Sequence, residues 1–175
     1  AKIDDASGCE SVPASISVTI NDRPAMPVLS PITECAPNTV SIAQPAEAGY
    51  SFAYYDTDGI TELADASAIS ASGAYYITKT NDATGCQSEK RTVQVTINER
   101  PVMPMLYPVS ACAPNAASIV QPEETGFTFT YYMPDGMTVV PDASSISVSG
   151  TYYVAKTNDA TGCMSELAPI SVTIN

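Results

Sequence analysis

The chain has 175 residues, with seven basic and nineteen acidic side chains, a formal net charge of -12, and neither His nor Trp. This charge argues against nucleic acid and anionic lipid surfaces as partners, because both bind clustered Lys and Arg. The lack of His removes imidazole-based nucleophile pairs and His ligands for zinc. No apolar run approaches the ~18 residues that span a bilayer. Composition leaves only carboxylate or cofactor chemistry open, and we expect a folded, acidic protein that does not insert into a membrane. We expect neither catalysis nor a cofactor, because no repeated cluster of polar residues forms a candidate site.

An internal repeat of 77 residues organises the chain. Residues 22–98 and 99–175 align without a gap at 45 identical positions, and both copies carry a net charge of -5. The first 21 residues match the end of the second copy at 14 positions. A period this long suits a small self-contained domain better than a short solenoid repeat. We interpret residues 1–21 as the C-terminal part of a preceding, truncated repeat, followed by two full repeats of a longer tandem array.

Short runs of the sequence alternate apolar with small or polar residues, the period of two that a half-buried strand requires. Turn residues such as Asp58-Gly59 and Ala83-Thr84-Gly85 separate them, and no stretch of ten residues shows helical periodicity. Six or seven short strands per copy predict an all-β fold, with tandem Ig-like antiparallel β-sandwich modules. In chain order the runs are Ile16 to Ile20, Val40 to Ile42, Phe52 to Tyr54, Tyr75 to Ile77, Val93 to Ile97 and Ile170 to Ile174.

Proline marks the junctions between the copies. D-R-P-A-M-P follows the first V-T-I-N tetrapeptide and E-R-P-V-M-P follows the second, which places Pro24, Pro27, Pro101 and Pro104 directly after a last strand. Proline removes ladder donors and restricts φ, so each junction is predicted to be short and stiff.

The end of the second copy resembles a known family. Ser149 to Asn175 (S-G-T-Y-Y-V-A-K-T-N-D-A-T-G-C-M-S-E-L-A-P-I-S-V-T-I-N), Cys112 ahead of an early strand and the pair Tyr131-Tyr132 resemble the Ig-like repeats of large secreted Bacteroidota cell-surface proteins, of the gliding-adhesin or surface-filament type. The resemblance covers both copies and the leading fragment. Many relatives place Trp where Tyr54 and Tyr131 stand. The resemblance implies type IX export, an extracellular, cell-surface location, and a stalk or fibre role without catalysis.

The five cysteines recur in phase with the repeat, which indicates an oxidising compartment and a disulfide framework. One pairing lies within each module, Cys35 with Cys86 and Cys112 with Cys163. The other joins neighbouring modules, Cys35 with Cys163, and leaves Cys9, Cys86 and Cys112 unpaired within these 175 residues.

Topology raises an objection to the pairing within a module. In an Ig-like sandwich the second and sixth strands run the same way, and the early Cys precedes one while the late Cys follows the other. That arrangement could place the two sulfurs at opposite ends of a domain, beyond the ~4.4 to 6.8 Å Cα separation of a disulfide. Both pairings remain open at the level of sequence.

Two groups of residues would suit a binding site but also have simpler roles. Oxygen-bearing loop residues around Asp56, Asp58, Asp82, Asp159 and Asn98-Glu99 would suit calcium, but Asp and Asn are also ordinary turn formers, and Met133 replaces Asp56 in the second copy. The tyrosine pairs would suit stacking on a glycan, but adjacent strand residues point to opposite faces, so one Tyr of each pair is predicted to fill the core. The pairs are Tyr54-Tyr55, Tyr75-Tyr76, Tyr131-Tyr132 and Tyr152-Tyr153.

We therefore predict a non-catalytic structural repeat, a stalk or filament shaft stiffened by disulfides and Pro-rich joints. Its expected partners are neighbouring repeats of the same polypeptide, with other filament chains or surface glycans as further partners. Two alternatives are a glycan-binding β-sandwich module and a self-assembling pilus-like subunit, in which the strand Ile16 to Ile20 completes the sandwich of another chain.

Overall fold

The computed structural model describes residues 1–175 and contains eight β-strands and no helix, hence none that would cross a membrane. The strands form two separate four-stranded sheets, one in each repeat. We call the part that contains the first sheet the first unit (residues 32–98) and the part that contains the second sheet the second unit (residues 109–175). The strands are β1 (Ile32–Cys35), β2 (Tyr50–Tyr55), β3 (Gly73–Asn81), β4 (Arg91–Asn98), β5 (Val109–Ala111), β6 (Phe127–Tyr132), β7 (Gly150–Asn158) and β8 (Ala168–Ile174).

Each sheet has the same mixed order. In the first unit the order is β1-β4-β3-β2, with β1 parallel to β4 and the other pairs antiparallel. The second unit repeats it as β5-β8-β7-β6. The parallel pair places the end of the first strand of a unit beside the end of its last strand.

The predicted alternation along the last strand is confirmed. Val93 and Val95 are buried on the core face of β4, and Ile170 and Val172 are buried on that of β8. These residues form the centre of a separate hydrophobic cluster in each unit, together with Tyr75 and Ile77 of β3 or their counterparts in β7. Each unit therefore buries its own core, as a small domain must.

Each unit contains four regular strands, fewer than the six or seven predicted for a repeat. All four lie in one sheet, and the layer that faces it has no regular strand. In the first unit it consists of extended segments around Val40 and Ile69, which exchange two backbone hydrogen bonds of 2.9 and 2.8 Å. Val40, Ile42 and Ile69 are buried against the sheet. The Ile42 N–H adds a hydrogen bond of 2.9 Å to the Ala66 carbonyl, but the segment forms only the isolated bridge between Val40 and Ile69 and no regular strand. Pro37 and Pro45, which have no N–H to donate, flank it. The result is an Ig-like β-sandwich with one regular and one sparse layer.

The strand predicted over Ile16 to Ile20 is wrong for this structure. Ile16, Val18 and Ile20 are 87%, 77% and 91% exposed, and the segment makes no backbone ladder. The identical residues in β8 pair with β7 and β5 of their own unit. Without such neighbours among the 175 residues, the alternating pattern has nothing to pair with or bury against.

Candidate functional site at the joint between the units

A disulfide bond between Cys35 and Cys163 joins the two units. Their Cα atoms lie 5.6 Å apart and the residues are 128 positions apart in sequence. Cys163 is fully buried, whereas Cys35 is half-buried. Of the two pairings that the sequence left open, the structure contains the one between modules.

The alternative pairs within a unit are not formed, and the sheet explains why. Cys35 stands opposite Asn98 at one end of the first sheet. Cys86 lies in the turn that follows Asn81, and β3 runs antiparallel to β4, so this turn lies at the other end. The register places Cys35 and Asn81 about eleven residue steps apart, about 35 Å at strand spacing. A disulfide spans at most about 7 Å between Cα atoms.

The early cysteine is held by backbone and side-chain hydrogen bonds at the end of β1. The Cys35 N–H donates to Glu34 Oε1 at 2.9 Å, and the Cys35 carbonyl accepts from the Asn38 N–H at 3.0 Å. The next residue, Ala36, donates to the Asn98 carbonyl at 2.9 Å. These bonds tie the cysteine to the strand end from which the chain leaves the first unit.

The late cysteine lies in a tight turn after β7. The Asn158 N–H donates to the Cys163 carbonyl at 2.9 Å, and the Cys163 N–H donates to Thr161 Oγ1 at 3.3 Å. Asn158 Oδ1 accepts from two further backbone N–H groups of the turn. Gly162 has φ of 72°, a left-handed conformation that glycine adopts without strain. The turn therefore holds the Cys163 sulfur at a defined place on the end of the second unit that faces the first.

The units share no polar contacts. No hydrogen bond, ion pair or strand-to-strand contact runs from one unit to the other. The two covalent connections across the joint are the disulfide and the linker of residues 99–108.

Each linker packs against the unit that follows it. Leu106 contacts the core of the second unit, as the equivalent Leu29 contacts that of the first. Pro24, Pro101 and Pro104 are half-buried and Pro27 is buried. Because the linker belongs to the second unit over most of its length, little free chain remains between Asn98 and that unit.

The acidic loop residues act as turn-forming groups in the structure. Asp58 Oδ1 accepts from the N–H groups of Ile60 and Thr61 at 2.8 Å, and the Thr61 hydroxyl donates to Asp58 Oδ2 at 2.5 Å. The hydroxyl and the two N–H groups lower the pKa of Asp58 below its ordinary 3.8. Asp135 repeats this arrangement with Thr138 and Met137. No group of three or more carboxylate or thiol side chains converges to form a cation cage.

The tyrosine pairs alternate between the two faces as predicted. Tyr75 and Tyr152 are buried in the two cores, and Tyr54 packs against the first core with its hydroxyl accepting from the Gln44 N–H at 2.7 Å. The neighbouring residues Tyr55 and Tyr76 face each other across β2 and β3 on the outer face, where both are half-buried.

A lysine ion pair that the sequence did not indicate recurs in both units, with the ammonium group lying over an aromatic ring. Lys79 Nζ lies 2.6 Å from Glu47 Oε1 and 3.9 Å from the centroid of the Tyr50 ring. Lys156 repeats it with Glu124 at 2.5 Å and Phe127 at 4.0 Å. Only the 77-residue spacing shared by the lysines and the glutamates could have indicated this pair before the fold was known.

Comparisons with known proteins add fold neighbours of low similarity. No protein-family model matches the chain, and no curated protein matches it. Among solved structures, Sidekick-1 immunoglobulin domains 1–4 superpose with a TM-score of 0.32 and 8% identity over 85% of this chain and 50% of that one. Sidekick-1 immunoglobulin domains 1–5 superpose with a TM-score of 0.31 and 15% identity over 89% of this chain and 38% of that one. This chain thus spans half or less of either neighbour.

Proposed function

We propose that the chain forms part of the shaft of a stalk or filament, as a non-catalytic Ig-like repeat of a secreted bacterial cell-surface adhesin. The observation that carries this proposal is the Cys35–Cys163 bond, which joins two units that share no hydrogen bond or ion pair. A second connection between successive units serves a spacer that must hold its direction. A disulfide is also typical of extracellular domains.

The two connections at the joint act together. A linker alone would let the second unit rotate about the chain that leaves Asn98. The disulfide attaches the second unit at another point, through the turn that carries Cys163. Two attachments remove free rotation about either one, so the joint resists twisting.

The net charge of each repeat suits an exposed shaft. Both full copies carry a net charge of -5. Because the net charge has the same sign in both repeats, no positively charged repeat is present to pair with a negative repeat of a neighbouring shaft. Uniform negative charge keeps extended molecules soluble and apart. The surface location, the adhesin and the bacterial source are the parts of the proposal that rest on the family resemblance.

The proposal is tested by measuring the stiffness of the joint. Unnatural amino acids at Ser51 and Thr128, equivalent exposed strand positions in the two units, would carry a fluorophore pair attached without cysteine chemistry. We expect a narrow distribution of distances in the oxidised chain and a broader one in the C35S/C163S variant. The C9S variant, which leaves the joint unchanged, is the matched control. Equal widths with and without the disulfide would contradict the shaft function.

A further inference from the structure

Two of the cysteines outside the disulfide lie at opposite ends of the two-unit body. Cys112 follows β5 at the end of the second unit that faces away from the first, at the position equivalent to Cys35, the last residue of β1. Cys86 lies in the turn after β3, at the end of the first unit that faces away from the second, and is equivalent to Cys163, which follows β7. Neither takes part in a disulfide within the chain.

The backbone around Cys112 has the geometry of the bonded Cys35. The Ala113 N–H donates to the Asn175 carbonyl at 2.8 Å, as Ala36 donates to Asn98 at 2.9 Å. The Asn115 N–H donates to the Cys112 carbonyl at 2.9 Å, against 3.0 Å for the equivalent bond to Cys35. The far end of the second unit is thus already shaped as the early half of a joint, and its thiol is exposed.

The turn around Cys86 has the geometry of the bonded Cys163. The Asn81 N–H donates to the Cys86 carbonyl at 2.9 Å, and the Cys86 N–H donates to Thr84 Oγ1 at 3.3 Å. Both values equal those in the Cys163 turn. Gly85 has φ of 69°, against 72° for Gly162. The end of the first unit that carries Cys86 thus has the same shape as the side of the joint that Cys163 provides.

We propose that a second copy of this chain docks head to tail, with Cys112 of one copy bonded to Cys86 of the next. The docking reproduces the Cys35–Cys163 joint between molecules and continues the shaft. The inference rests on the proposed function, since it extends the same kind of joint to a partner.

The segment that ends at Asn21 covers Cys86, is weakly held, and can give way to the partner. The Asn21 carbonyl lies 3.8 Å from Cys86 Sγ, the position that the last residue of a preceding unit would take. Residues 12–21 make no backbone–backbone hydrogen bond, and the ion pair between Arg23 and Glu89 that follows them is highly exposed. In the docked pair, Asn175 of one copy replaces Asn21 of the next.

The bond forms by thiol–disulfide exchange with a small-molecule disulfide such as oxidised glutathione. Together the two thiols lose two protons and two electrons as the new S–S bond forms. The S–S bond of oxidised glutathione breaks and takes up both, which gives two glutathione thiols.

The test uses the full chain, reduced and then oxidised in a glutathione redox buffer over a range of protein concentrations. We expect a ladder of species in steps of 18.3 kDa on a non-reducing gel, growing with protein concentration, and a Cys112–Cys86 peptide in the mass map. C112S and C86S must each abolish the ladder, whereas C9S, which removes another exposed thiol, must retain it. An equimolar mixture of C86S and C112S must stop at the dimer, because each variant retains only one half of the joint.

Several outcomes would overturn the inference. They are a ladder that persists in C112S or C86S, links between two copies of Cys112, links through Cys9, and an oxidised chain that stays monomeric. The same mass map reports the Cys35–Cys163 link. If that link is present and the chain stays monomeric, head-to-tail docking fails while the proposed shaft function stands. If that link is absent, the joint that serves as the template fails and both fail together.

Discussion

Cys35 and Asn98 stand opposite each other where parallel strands β1 and β4 end. The residue that carries the disulfide and the residue at which the chain leaves the first unit therefore occupy adjacent strands, about 4.8 Å apart. Both connections to the second unit therefore begin at the same end of the first sheet, where β1 and β4 terminate. This placement lets one disulfide secure the joint at which the polypeptide itself crosses.

The disulfide is expected to hide length under tension. It closes a loop of 128 residues, which would span at most about 450 Å when fully extended. In single-molecule force spectroscopy with handles at Ala1 and Asn175, the reduced chain should lengthen in two unfolding steps, one for each unit. In the oxidised chain the load crosses the S–S bond and bypasses residues 36–162, so these residues should not extend. Only the segments outside the loop, which include β1 and β8, should lengthen. Two steps of equal length in both states would contradict this prediction.

The recurring lysine ion pair should contribute to stability through its carboxylate. The Lys79 side chain is only 15% exposed and lies 2.6 Å from Glu47, so E47Q leaves a poorly solvated ammonium without its counter-charge. We expect the free energy of unfolding of the first unit to fall by about 1 kcal/mol. The matched control is E89Q, whose partner Arg23 lies 3.6 Å away in a pair with both side chains at least 68% exposed. Chemical denaturation should show a change below about 0.5 kcal/mol for that variant. Equal losses in both variants would rule out burial as the cause.

Gly73 should be less tolerant of a side chain than its counterpart Gly150. A Cβ at Gly73 would lie 2.4 Å from Thr57 Cγ2, whereas one at Gly150 would lie 3.3 Å from Pro134 Cγ. We expect G73A to lower the free energy of unfolding by about 1 to 2 kcal/mol and G150A to have a smaller effect. Thermal denaturation measures both. The double variant G73A/T57A should recover most of the loss, because it removes the clashing methyl group, and a failure to recover would show that the clash is not the cause.

The turn aspartates should make the chain sensitive to acid. The Thr138 hydroxyl and the N–H groups of Thr138 and Met137 lower the pKa of Asp135 below 3.8, as the Thr61 hydroxyl and the N–H groups of Ile60 and Thr61 do for Asp58. The folded state therefore favours the carboxylates, and their stabilisation is present above about pH 4 and lost as pH falls through the lowered pKa values. Urea titrations between pH 6 and pH 2.5 should show a shallower loss of stability for D58N/D135N than for the wild type. The control is D5N, whose carboxylate makes no hydrogen bond and which should follow the wild type. Parallel curves for all three proteins would contradict this assignment.

Much of the fold follows from local pattern. The gapless repeat predicts two equivalent units, and the alternation of Val93 and Val95 predicts a strand with one buried face, which the structure contains. The tyrosine pairs divide between core and outer face for the same local reason, since neighbouring strand residues point opposite ways. The run around Val40 has the period of a strand but forms only one isolated bridge, with Ile69, so the sparse second layer was not predicted.

The sequence by itself determined the repeat, the all-β character, the phase of the cysteines and the two pairings open to them. Only the tertiary structure decided between those pairings, and it did so through the parallel contact of β1 with β4, which places Cys35 and Cys86 at opposite ends of one sheet. It likewise decided that Ile16 to Ile20 stays exposed although its sequence is that of β8. In both cases the reason is that strand pairing joins residues far apart in the chain, so the identity of a residue fixes its face while its neighbours across the sheet fix its place.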